Sequence, residues 1–201
     1  SGTTGGRNMN TLMHICCAPC ANRPIAQLRE EGHSVTGFWF NPNIHPYTEY
    51  QARKATLEGY AKEIGMKLII GGRYDLRSFI TNVADNIDGR CAYCYRVRME
   101  ETAKYAAEHG FDSFTTSLLI SPYQKHDAIA AIAREMGQQY GVEFLYRDFR
   151  PLFREGQEFA REHGFYMQKY CGCIFSEEER YMAAKWKKEA KRREQEAPAQ
   201  V

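Results

Sequence analysis

Thr11-Leu12-Met13-His14-Ile15-Cys16-Cys17-Ala18-Pro19-Cys20 is the stretch whose reading decides the fold. Thr11–Ile15 is a short apolar-rich strand that ends at three cysteines, and Ala18-Pro19 supplies a break after it. A helix is expected over Pro24–Gly32, where Ile25 and Leu28 share a face and Gly32 is the stop. Ser34–Phe40 is β-branched and aromatic, hence a second strand, closed by Asn41-Pro42-Asn43. Working outward, the same alternation continues. Helices are expected at Thr48–Ile64, Arg90–His109, His126–Tyr140, Gln157–His163 and Glu177–Glu196. Strands are expected at Lys67–Ile70, Asp112–Leu119 and Val142–Tyr146. Strands alternating with helices make an α/β fold, a parallel sheet with helices on both faces. In such sheets ligands gather beyond the carboxyl ends of the strands, so the first cysteine group marks the expected metal site.

Residues 1–8, small and glycine-rich, read as a tag remnant. Residues 9–184 read as a single α/β catalytic domain, and 185–201 as a charged helix end running into a disordered tail. The formal charge of +2 excludes a strong global attraction to nucleic acid, so any such surface must be a local patch. No apolar run reaches the ~20 residues that span a bilayer, so no membrane partner and a cytoplasmic protein are expected.

The seven cysteines are an odd number, which forbids complete pairing, and in a reducing compartment clustered thiols bind metal or do redox chemistry. They fall in three sets: Cys16, Cys17 and Cys20; Cys91 and Cys94; Cys171 and Cys173. Cys91-Ala92-Tyr93-Cys94 opens a helix, where i and i+3 share a face and the helix terminus favours thiolate. Alone, such a pair also reads as half of a zinc knuckle or as a thioredoxin-type dithiol, and Cys20 has a lesser alternative as a buried packing residue at the start of the next helix. Gly172 lets both Cys171 and Cys173 turn to one side, to chelate a metal or close a local disulfide. Taken together, seven thiols exceed the four of a closed zinc site and suit an iron–sulfur cluster beside a second metal or redox dithiol.

Six motifs extend this pattern: His14–Cys20, Phe40–Ile44, Arg90–Arg96, Thr115–Lys125, Tyr146–Arg150 and Tyr170–Cys173. In their combination the chain resembles the QueH-type epoxyqueuosine reductases over nearly its whole length. The resemblance implies a nucleotide-hydrolase-like (HUP-type) fold, a [4Fe-4S] cluster, and tRNA carrying epoxyqueuosine at the wobble position as substrate. It also implies Cys16, Cys17, Cys91 and Cys94 as cluster ligands, with Cys20 a further candidate. Cys171 and Cys173 match a redox-active pair or the ligands of a second, mononuclear iron. Electrons would come from an unidentified donor.

Proton donors beside the cysteines include His14, Tyr93, Tyr95, Asp148 and Tyr170. For substrate, Arg96, Arg98, Lys125, Arg147, Arg150, Arg154 and Lys169, interleaved with Tyr95, Tyr123, Tyr146 and Phe149, combine cations for phosphate with aromatic rings for bases. Lys185–Arg193, six cations against one acid, reads either as a phosphate contact or as a solvated helix end. Two rival classes remain at this stage, a zinc-stabilised RNA-binding module without catalysis and a metal-free thiol–disulfide oxidoreductase.

Overall fold

The computed structural model describes residues 8–196; most of the stretch read above as a tag remnant, and the end of the expected disordered tail, lie outside that range. Its first strand, β1 (Met9–His14), is the centre of the sheet. β1 pairs in parallel with β2 (His33–Trp39) on one side, Thr11 opposite Val35, and with β4 (Ser113–Thr116) on the other, Thr11 opposite Ser113. β3 (Leu68–Ile70) and β5 (Glu143–Phe144) complete a five-stranded sheet in the order β3-β2-β1-β4-β5. The last four residues of β1 are buried, as expected of a central strand covered on both sides.

The helices are α1 (Ala18–Glu30), α2 (Tyr47–Glu63), α3 (Leu76–Val83), α4 (Arg90–Glu108), α5 (His126–Tyr140), α6 (Phe153–Glu162) and α7 (Ile174–Glu196). From β1 the chain moves outward to β2 and β3, then returns across the sheet to β4 and β5. With right-handed crossovers that reversal puts α1 and α2 on one face and α4 and α5 on the other. The packing agrees. α1 lies against β2, α2 and α6, whereas α4 lies against β1, β4 and α5. The connections diverge between β1 and β4, and that is where a crevice opens at the strand ends of such a sheet.

Several boundaries differ from expectation, each for a local reason. α1 begins at Ala18, not Pro24: Cys17 is its extended N-cap, and Pro19 occupies the first turn, where a missing N–H is no loss. Pro24 lies inside the helix. α3 was not anticipated; Asp75 caps it, its carboxylate accepting from the Ser78 N–H at 3.1 Å. The expected strand over 112–119 stops at Thr116, whose hydroxyl accepts from the Leu118 N–H and turns the chain into a 3-10 segment at Ser117–Ile120. α6 starts at Phe153, and α7 starts directly after Cys173, so the basic stretch at 185–193 is helical.

The main core gathers Leu12, Met13, Phe38, Trp39, Met99 and Phe114 between the layers. Burying each such side chain contributes about 1.5–3 kcal/mol. A second, smaller cluster joins Phe79 and Val83 of α3 to Cys94 and Cys173. Among the described residues, no helix is long and apolar enough to cross a membrane.

Candidate metal centre and adjoining cavity

The first cysteine group stands at the point where the sheet connections diverge. Cys16 directly follows β1 and Ser117 directly follows β4; the Cys16 N–H donates to Ser117 Oγ at 3.2 Å, and the Cys16 sulfur lies 3.5 Å from the same oxygen. Because α1 starts at Ala18, Cys20 falls in its first turn and swings back toward the pair. The sulfurs of Cys16, Cys17 and Cys20 all lie within 4.8 Å of one another, and all three residues are buried. Among the described residues this is the group of three or more His, Cys, Asp or Glu ligand atoms that comes so close. Hydrogen bonding among the three thiols, with Cys17 and Cys20 as its partners, holds Cys16 well below the ordinary thiol range. Burial pushes Cys17 up, and the Cys16 and Cys17 sulfurs push Cys20 up. Of the three thiols, Cys16 is therefore the first to ionise.

His14 does not join this chemistry. Its Nε2 lies 3.1 Å from both the Phe40 carbonyl and Asn41 Oδ1, two acceptors, so Nε2 carries the proton; Nδ1 then accepts from the Thr116 hydroxyl at 3.0 Å. Burial, reinforced by Arg98, lowers its pKa to about 4. His14 is a neutral tie between β1, β2 and β4.

The second group is built differently. Cys91 and Cys94 lie in the first turn of α4, the former half-buried and the latter buried against Cys173. Burial pushes the Cys94 thiol up to about 12, with Arg98 opposing and Cys173, Cys171 and Cys91 reinforcing. Cys171 and Cys173 come from an irregular loop held almost wholly by hydrogen bonds. The His45 N–H donates to the Gly172 carbonyl at 2.8 Å, and the Ile174 N–H donates to His45 Nδ1 at 3.2 Å. The Tyr170 hydroxyl donates to the His45 carbonyl. Arg53, anchored by Glu49 at 2.8 Å, donates to the carbonyls of Tyr170 and Cys171 at 3.0 and 2.9 Å. Gly172 has φ +156°, which L side chains rarely adopt, and an added Cβ would lie 3.3 Å from Ile44, so the position favours glycine. All seven thiols are free.

Three buried arginines surround these sulfurs: Arg53, Arg90 and Arg98. Arg53 acts electrostatically on Cys16 and Cys17 as well as Cys171, which links the two groups. Arg90 is held by Glu179 through two 2.8 Å contacts and also donates toward Cys173, while its Nε has no nitrogen or oxygen partner. Arg98 is 2% exposed and donates to the Cys94 carbonyl at 3.1 Å, but among the described residues no carboxylate pairs with it. A buried guanidinium without a counter-anion is costly. The donor set thus fits an anionic, thiolate-ligated metal group, whose charge these arginines would balance.

A cavity of about 650 Å³ opens beside the cysteines. Cys20 of the first group and Cys171 of the second both line it, along with Gln124, Gln168, Tyr170 and the first turns of α7. Gln124 Nε2 donates to the Cys171 sulfur at 3.1 Å, and its Oε1 accepts from the Tyr95 hydroxyl at 2.6 Å.

This arrangement has relatives. A family model described as epoxyqueuosine reductase QueH matches residues 11–179. The chain belongs to the QueH family of epoxyqueuosine reductases. Among its relatives, the QueH of Dehalococcoides mccartyi is 39% identical over 170 residues, covering 85% of this chain and 93% of that one. The QueH of Thermotoga maritima is 34% identical over 174 residues, covering 82% and 88% respectively. Among solved structures, the U34-tRNA thiolase NcsA from Methanococcus maripaludis, with its [4Fe-4S] cluster, is 15% identical with a TM-score of 0.52. The match covers 91% of this chain and 68% of NcsA, and it supports the nucleotide-hydrolase-like fold.

As a QueH enzyme the protein is an oxidoreductase of queuosine biosynthesis, and the residues expected to grip its substrate deserve placing. Tyr95 is 3% exposed and orients Gln124, so it is no stacking platform. Arg96 is tied to Glu135 at 2.9 Å, Arg147 to Glu31 at 2.9 Å, and Arg150 to Asp148 at 2.8 Å. Lys125 is exposed at the start of α5. Tyr123, by contrast, is 86% exposed at the cavity. Arg98 and Phe149, expected on the substrate surface, are 2% and 0% exposed and belong to the interior, while Arg90 and Arg53 gave no sequence signal because they look like any helix cation, Arg53 following Glu49 at ordinary i+4 spacing.

Proposed function

We propose that this epoxyqueuosine reductase is an iron–sulfur enzyme acting on epoxyqueuosine at the wobble position of tRNA. The observation that carries the reading is the buried Cys16–Cys17–Cys20 triad at the divergence of the sheet, with Cys20 and Cys171 lining one cavity and three buried arginines near the thiols. Cys16, Cys17, Cys91 and Cys94 are the proposed ligands of a [4Fe-4S] cluster. Cys20 is the additional thiol on the cavity side of the first group, and Cys171 with Cys173 forms the redox-active pair or the ligand pair of a second, mononuclear iron.

Removing the epoxide oxygen as water takes two electrons and two protons. When bound, the cluster supplies single electrons and an iron that acts as Lewis acid toward that oxygen. The chain's own residues do the rest. Arg53, Arg90 and Arg98 balance the charge of the thiolates. The cavity admits the modified nucleoside against Cys20 and Cys171. Gln124, oriented by Tyr95, holds the Cys171 sulfur as acceptor. Electrons arrive from a separate donor, and the proposed site of action is the cytoplasm. NcsA, whose fold this chain shares, carries a [4Fe-4S] cluster and acts on U34 of tRNA, which lends support. Iron and acid-labile sulfide analysis after anaerobic purification tests the reading: both are expected, and zinc alone would replace it with the structural rival.

A further inference from the structure

The basic end of α7 finds no role in the cysteine chemistry. Between Lys185 and Arg193 it carries six cations and one acid, a net of five positive charges in a chain whose total is +2. The remainder of the protein is therefore net acidic, and the positive charge is concentrated in one exposed helical segment. Of the six cations, only Arg192 has a carboxylate partner among the described residues, Glu196 at 3.6 Å. Arg96, Arg147 and Arg150, elsewhere on the surface, are all ion-paired.

The helix also has a direction. α7 starts at the residue after Cys173, and Ser176, Arg180 and Ala183 line the cavity. Counting on from Ser176 by i+4, i+7, i+11 and i+15 reaches Arg180, Ala183, Lys187 and Lys191. In a helix of ~3.6 residues per turn these fall on one face. The cavity wall is thus continued outward by Lys187 and Lys191, ending roughly 16 Å beyond Arg180 at 1.5 Å per residue. Lys185 and Arg192, seven residues apart, lie on the other side of the helix.

We propose that the Arg180–Lys187–Lys191 face docks the phosphate backbone of the tRNA anticodon stem and leads the wobble nucleoside into the cavity. The inference rests on the tRNA reading above and names the surface that performs it. Charge complementarity selects the occupant: an unpaired row of cations fits a polyanionic backbone.

The test is binding of a fluorescently labelled anticodon stem–loop RNA across a salt series. Neutralised phosphates release counterions, so log K falls with log salt by roughly 0.7–0.9 per contact. The double variant Lys187→Ala/Lys191→Ala should make the slope shallower by that amount for each lysine. Lys185→Ala/Arg192→Ala, with the same loss of charge on the other side, should leave it unchanged. In turnover, the first pair should raise KM for an epoxyqueuosine-bearing stem–loop and leave kcat, and any reaction of the free nucleoside, as in the wild type. Equal slope changes in both pairs, or none in the first, would overturn the proposal. Wild-type protein that binds the stem–loop with the expected slope yet reduces nothing would count against the reductase reading and leave the docking face standing.

Discussion

The two cysteine regions are held in opposite ways. Cys16, Cys17 and Cys20 follow the central strand and open α1, so the sheet and a helix fix their sulfurs, and all three are buried. Cys171 and Cys173 stand on a loop fixed by His45, Tyr170 and Arg53, and Cys171 is exposed at the cavity. Sulfurs set in regular elements suit permanent ligation, where geometry must not change. A sulfur on a hydrogen-bonded loop beside a cavity can react, exchange partners and meet substrate. Cys91 and Cys94 stand between these extremes, on a helix but packed against Cys173.

The largest effect should come from breaking the helix-borne pair that stands between the two. Cys91→Ser or Cys94→Ser is expected to abolish cluster assembly, read as loss of iron and sulfide, because their shared helix face makes each indispensable. Full metal retention in either variant would remove them from the ligand set.

The fold was open to sequence reading where periodicity and punctuation agree. β1, β2 and α5 fall close to their expected bounds because apolar alternation and turn residues mark both ends. α1 was misplaced because Pro24 looks like a helix start, although Pro19 already occupies that role. α3 carries an Asp cap three residues past Gly71-Gly72, but is too short for its periodicity to stand out. At the site, clustering of cysteines was visible in the chain. What holds them was not, since a buried arginine and a solvated one are spelled alike, and only tertiary packing tells Arg98 from Arg96.

Charge offers the next way to sharpen the contrast. Arg98 acts on Cys94 and Cys171, and Arg98→Met removes a buried cation from the proposed cluster. At an effective dielectric near 20 that is worth ~2 kcal/mol, or ~90 mV for a one-electron couple. The midpoint potential should become more negative by that order, and Arg98→Lys should retain most of it. An unchanged potential in a folded, iron-loaded Arg98→Met protein would contradict the charge-balancing role.

On the loop side, Gln124→Leu removes the donor to the Cys171 sulfur, and Tyr95→Phe loosens that donor more gently. A hydrogen bond to a charged group contributes about 1.5–3 kcal/mol, so Cys171 should need a higher pH to ionise. In metal-free protein, the pH profile of Cys171 alkylation should move upward, more for Gln124→Leu than for Tyr95→Phe. Identical profiles would mean that the 3.1 Å contact does not control this thiol.

The smallest effect concerns the clamp. His45 donates from Nε2 to the Pro42 carbonyl and accepts at Nδ1, so it is neutral, and burial lowers its pKa to about 4. Its folded pKa lies below the unfolded value, so its contribution is complete above about pH 6.5 and is lost as pH falls toward 4. Denaturant titrations should show that loss in the wild type and less of it in His45→Gln. Parallel pH dependences would remove His45 from the account.

The division of labour between the two regions meets its most direct test in the iron and sulfide content of Cys171→Ser, purified anaerobically beside the wild type and assayed for turnover. The account predicts about four iron and four sulfide per chain retained in the cluster, with reduction of epoxyqueuosine lost. Loss of the whole cluster with that single serine would place Cys171 among its ligands and contradict the separation of a holding region from a reacting one.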